Sequence, residues 1–121
     1  MYTSKAQWDT GATGTCISKL VVDRLGLVPI GMTTIQTPSG ERTTNVYVVD
    51  IVLRNEVRIK DIEVIESMIG NQGIDLLIGM DIITLGDFAV TNVNGKTKFT
   101  FRIPSVGEID YVKEIKKLNN S

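Results

Sequence analysis

The sequence contains no histidine in its 121 residues. That excludes Ser-His and Cys-His catalytic arrangements, in which an imidazole activates the nucleophile. It has a single cysteine, Cys16, so no intrachain disulfide is available, and one thiol without an imidazole argues against a zinc site. A lone cysteine suits a reducing compartment. The polar start, Met1 to Gln7, lacks the pattern of a secretory signal, so a cytoplasmic location is expected. No apolar run approaches the ~20 residues that span a bilayer, and no membrane partner is expected. Charge is balanced, with 13 Lys and Arg against 14 Asp and Glu. There is no basic stripe for nucleic acid and no long block of like charge. Repeats, low-complexity segments and linkers are also absent. Acid–base chemistry in this chain must therefore come from carboxylates, tyrosines or lysines.

Against these absences stands one dense stretch, Trp8-Asp9-Thr10-Gly11-Ala12-Thr13-Gly14-Thr15-Cys16-Ile17-Ser18. Glycine allows close approach of backbone or ligand, and threonine hydroxyls hold loops by bonding nearby peptide groups. Together they describe a carboxylate, Asp9, in a rigid polar turn. The same residues also suit a plain strand-to-helix turn with Asp9 as a local cap.

Along the chain, Lys5 to Trp8 reads as a strand. Ser18 is placed to cap a helix over residues 19–25, with Leu20, Val21 and Leu25 on its apolar face and Gly26 as its stop. Residues 32–53 read as one long hairpin: alternating strands flank a Pro38-Ser39-Gly40-Glu41 turn. A turn at Asn55-Glu56 leads to a half-buried strand over 57–65. Gly70 to Gly73 is a loop, and 74–78 reads as a strand buried on both faces. A short helix over 80–85 ends at Gly86. Asp87 to Val93 and Lys96 to Ile103 form a hairpin around Asn94-Gly95. Ile109, Val112, Ile115 and Leu118 mark a terminal amphipathic helix, followed by a frayed tail, Asn119 to Ser121. Many short strands with Gly and Asn turns predict a mostly-β fold: a small closed barrel, one or two short helices and a C-terminal helix. The length fits a single domain over 1–121, with a core of about 5–104 and an extension over 105–121.

Two separated motifs resemble the retropepsin-like aspartic proteases: Asp9-Thr10-Gly11-Ala12, and Leu77-Ile78-Gly79-Met80-Asp81. The long hairpin lies between them, where that family has its flap, and the resemblance covers Trp8 to about Ile103. It implies an acid-protease-like barrel and an aspartic endopeptidase that needs no cofactor and no metal. One Asp-Thr-Gly per chain implies a homodimer, with an Asp9 from each copy. The resemblance assigns Asp9, Thr10 and Gly11 to catalysis. It assigns Ala12, Ser39 and Gly40 to binding an extended peptide beneath the hairpin tip. Asp81 is expected to be structural rather than catalytic. Family members usually carry a hairpin before the aspartate, whereas eight residues precede Asp9 here. The C-terminal extension is longer than in retroviral members, and it is expected to support the dimer or cover a sheet edge.

The residues leave three other readings open. The fold could serve as a non-catalytic dimerisation or peptide-binding module. Asp-x-Gly-x-x-Gly-Thr also resembles the phosphate loop of actin-like sugar kinases, which need several hundred residues. Cys16 as a nucleophile would need an activator other than histidine, and a packing role suits it better.

Overall fold

A computed structural model describes residues 2–54 and 56–120. Met1, Ser121 and Asn55 of the expected Asn55-Glu56 turn lie outside the described residues. Contacts divide the chain into two units, Met1–Thr84 and Leu85–Ser121.

The first unit carries strands β1 (Ala6–Trp8), β2 (Cys16–Ile17), β3 (Gly31–Thr37), β4 (Gly40–Val52), β5 (Arg58–Glu66) and β6 (Leu76–Ile78). Helix α1 (Lys19–Leu25) follows β2, a 3-10 turn covers Gly70–Gln72, and α2 (Met80–Ile83) follows β6. The strands form one sheet in the order β1-β6-β2-β5-β4-β3. β1 runs parallel to β6, and β2 parallel to β5, while the other neighbours are antiparallel.

The mostly-β class is as expected, but the barrel is not closed. Closure requires the first and last strands of the order to pair. Here β1 and β3 stand at opposite ends of the sheet, and the other two described strands form a sheet of their own.

Local signals explain α1. The Ser18 hydroxyl accepts a hydrogen bond from the Val21 amide at 3.3 Å, and Gly26 ends the helix with φ 62°. The buried stripe is Val21 and Val22, whereas Leu20 and Leu25 are about half exposed. The expected apolar face is thus shifted by one residue. A two-turn helix covers only a narrow stripe, and tertiary contact chooses its centre. In the long hairpin, Thr37 pairs with Gly40, which leaves Pro38 and Ser39 as the loop. The Thr37 hydroxyl accepts from the Ser39 amide and donates to the Gly40 carbonyl. β6 is shorter than expected, with Leu76 and Ile78 buried and Leu77 half-buried.

Every buried apolar residue among those described lies between Ile17 and Ile83, with Val64 and Ile82 fully enclosed.

The second unit is a hairpin followed by a helix. β7 (Asp87–Val93) pairs with β8 (Lys96–Arg102) through Asn94-Gly95, and α3 spans Tyr111–Asn119. Both turn residues have positive φ, 53° and 74°. That is the two-residue geometry that matches strand twist. Phe88 and Phe99 stack across the hairpin with centroids 6.1 Å apart. α3 begins at Tyr111 because the Asp110 side chain accepts from the Lys113 amide. Its apolar residues Val112, Ile115 and Leu118, and Ile109 before it, are exposed. Among the described residues no helix is long and apolar enough to cross a membrane, a statement that leaves strands aside.

Candidate active site

Asp9 follows β1 directly, and its amide donates to the Ile78 carbonyl at 2.9 Å. The strand pairing thus carries up to the aspartate itself. The chain then turns: the Ala12 amide donates to the Asp9 carbonyl at 3.2 Å, and the Gly11 amide donates to Asp9 Oδ1 at 2.9 Å. The Asp9 side chain is half-buried, while Thr10 and Gly11 are exposed. A β-carbon on Gly11 would sit 3.2 Å from Asp9 Oδ1, tight against the carboxylate.

The second motif clamps this turn from beside it. The Met80 amide donates to the Ala12 carbonyl at 2.8 Å and the Asp81 amide to the Thr13 carbonyl at 3.2 Å. Two amides at the start of α2, which have no partner within the helix, are thereby satisfied by the Asp9 loop. Gly79 makes the approach possible. A β-carbon there would lie 2.6 Å from the Gly14 carbonyl oxygen and 2.8 Å from that of Ala12. Backbone atoms cannot retreat cheaply from such a clash.

Beneath the loop is a small polar cluster. Thr15 is fully buried. Its hydroxyl donates to Asp81 Oδ1 at 2.8 Å and accepts from the Gly79 amide at 3.2 Å. The Thr15 amide donates to Asp81 Oδ2 at 3.1 Å, and the Ile82 amide to Asp81 Oδ1 at 2.9 Å. Asp81 thus accepts three bonds, two of which join it to Thr15, 66 residues away in the chain. This is a positioning role, in keeping with the structural part expected for it. The sequence alone does not mark Thr15 as part of the site. The only signal was a third threonine in the same stretch, and its partner is distant.

Cys16, half-buried beside the loop, has its thiol pKa raised, first by burial, then by the charges of Asp81 and Asp9. A raised pKa disfavours the thiolate, which is the nucleophilic form.

The structure brings Asp9, Thr10, Gly11 and Ala12 into one turn. Ser39 and Gly40 sit at the hairpin tip, where no described hydrogen bond joins them to the Asp9 loop. A cavity of about 570 Å³ borders the loop at Gly14 and Asp81 and runs along Gly31–Thr33 at the base of the hairpin. Asp9 does not line it.

The arrangement offers one half-buried carboxylate per chain, locked by backbone on both sides and open to solvent at Thr10 and Gly11. Residues 3–82, which hold both motifs and the long hairpin, match the family model described as aspartyl protease. No curated protein and no solved structure gives a significant match.

Proposed function

From the membership of this chain in the aspartyl protease family, we propose that it is an aspartic endopeptidase acting as a homodimer. In this reading the whole of 1–121 serves as one functional, retropepsin-like domain in the cytoplasm. The observation that carries it is the Asp9 turn, held by the Gly79–Asp81 segment on a buried Thr15.

A single carboxylate cannot act as base and acid at once. Two chains related by a two-fold axis bring two Asp9 side chains together. Like charges a few ångströms apart resist double ionisation, so the pair shares one proton, as is general for aspartic proteases. The ionised Asp9 takes a proton from water as the oxygen attacks the peptide carbonyl carbon. The protonated Asp9 donates a hydrogen bond to the carbonyl oxygen, and proton transfer to the amine nitrogen lets the tetrahedral intermediate collapse. The two titrations belong to the pair rather than to either residue. Thr10, exposed beside the aspartate, bonds across the axis. The Gly11 backbone borders the attacking water, and Ala12 packs under the site. The hairpin tip at Ser39 and Gly40 closes over an extended peptide.

The test is cleavage of a peptide library from pH 4 to 8 by the native chain and by Asp9→Asn, with sedimentation of both. Cleavage by a dimer that Asp9→Asn abolishes supports the reading. A dimer in which neither protein cleaves overturns it and leaves a peptide-binding or dimerisation module.

A further inference from the structure

We infer that the cavity beside the Asp9 loop receives a cationic side chain of the peptide, lysine or arginine, and so selects substrates with a basic residue near the scissile bond. The inference rests on the endopeptidase reading for the word substrate, but not for the binding itself.

The cavity measures about 570 Å³, within the range of about 300–1,000 Å³ typical of ligand sites. Its wall is mixed. Ile30, Met32 and Ile65 supply apolar surface, while Asp61, Glu63 and Asp81 supply carboxylates, and no lysine or arginine lines it. Lysine and arginine have this same division, an aliphatic stem with a charged head.

Two features of β5 aim the carboxylates. Glu63 and Ile65 are two residues apart on the strand and share a face. A β-carbon on Gly14 would touch Ile65 Cδ1 at 4.0 Å, so that face looks toward the Asp9 loop. Val64, between them, points the other way and is fully buried. Asp61 is turned by a bulge. Val49 pairs with Ile62 and Ile51 with Ile59, so Asp50 stands opposite both Lys60 and Asp61. Asp61 takes φ 57°, and its amide donates to Asp50 Oδ1 at 3.0 Å. Bulges next to active sites commonly re-aim a side chain in this way.

The charges are also uncommitted. β5 carries two cations, Arg58 and Lys60; Arg58 pairs with Asp50 at 3.8 Å, and Lys60 precedes Asp61 without lining the cavity. Among the described residues no salt bridge engages Asp61 or Glu63. Asp81 is bonded to Thr15 and Ile82, so it adds negative potential rather than a free acceptor. Among the described residues the carboxylates are not grouped to hold a metal ion. A cation carried on a flexible aliphatic stem does not require that grouping.

The experiment uses the full chain as Asp9→Asn, which binds without turnover. Fluorescence anisotropy compares labelled peptides that differ at one position: lysine, arginine, norleucine or glutamate. Each position flanking a cleavable bond is scanned in turn. The expected result is binding of the lysine and arginine peptides about three- to tenfold tighter than norleucine at one position, with glutamate weakest. The preference should shrink with added salt. It should disappear when Asp61→Asn and Glu63→Gln are added, with circular dichroism showing that the fold is kept. Equal binding of lysine and norleucine at every position overturns the inference, as does a preference that survives the double substitution. Cleavage by the native chain is measured on the same peptides. Selective binding without cleavage would sink the endopeptidase reading alone, cleavage without selectivity would sink the pocket alone, and no binding of any peptide would sink both.

Discussion

The two units of this chain are built by different forces. In Met1–Thr84 a six-stranded sheet and two short helices enclose an apolar core that includes Val64, Ile78 and Ile82. In Leu85–Ser121 no described residue is buried to that degree. That second unit is held instead by strand pairing, an aromatic stack and one carboxylate. Asp87 accepts from Arg102 Nε at 2.8 Å, the Ser105 hydroxyl at 2.6 Å and the Val106 amide at 2.8 Å. The difference teaches where precision resides. The Asp9 turn sits on the unit that holds the buried apolar core, where close packing restricts movement. The unit held by exposed polar bonds belongs to the low end of local stability.

The sharpest way to break this comparison is Gly79→Ala. The added methyl meets two carbonyl oxygens of the Asp9 loop, so the loop must move. The expected cost is roughly 1–3 kcal/mol of stability. Displacing a catalytic group by about 1 Å costs on the order of a hundredfold in kcat/KM. Cleavage kinetics and thermal unfolding check this, and wild-type kinetics would show that the close approach is not needed.

A smaller effect separates the two units directly. Ile82→Ala, at a position with no exposure, should cost about 2–5 kcal/mol. Val93→Ala, at 71% exposure on the second hairpin, should cost less than about 0.5 kcal/mol. Urea denaturation of both variants gives the ratio. Similar losses would mean that the second unit has a covered core after all.

The smallest effect concerns pH. Hydrogen bonds from Ser105, then Val106 and Arg102, hold the Asp87 carboxyl well below the ordinary carboxylate range. A group whose pKa is lowered on folding stabilises above its unfolded value of about 3.9, and that contribution is lost as pH falls through the folded value. Between pH 7 and 4 the tie from Asp87 to Val106 should therefore stay intact. It should release only in stronger acid than an ordinary aspartate needs. Carboxyl chemical shifts of Asp87, with the Val106 amide followed in the same titration, measure it, and a midpoint near 3.9 would contradict the lowered value.

Much of the secondary structure was legible because its signals are local. Ser18 and Gly26 bracket α1 through a side-chain cap and a left-handed stop. Asn94-Gly95 writes its hairpin through two residues that tolerate positive φ. The Asp9 turn could be read because carboxylate, threonines and glycines are adjacent in the chain. The buried stripe of α1 could not, since Leu20 and Val22 are equally apolar and only a tertiary neighbour decides between them. Barrel closure was also beyond reach, because whether distant strand edges meet is not a local property. Thr15 and Asp81 lie too far apart for either to announce the other.

The sequence by itself determined the chemistry open to this protein. The lack of histidine and the single cysteine confine acid–base chemistry to carboxylates, tyrosines and lysines, and the Asp-Thr-Gly turn carries one such carboxylate. Only the tertiary structure decided how that carboxylate is held. The parallel pairing of β1 with β6, the approach that Gly79 permits and the bonds from Thr15 to Asp81 depend on residues brought together by folding. Bond type is written in residue identity, whereas distance is set by packing across the whole chain.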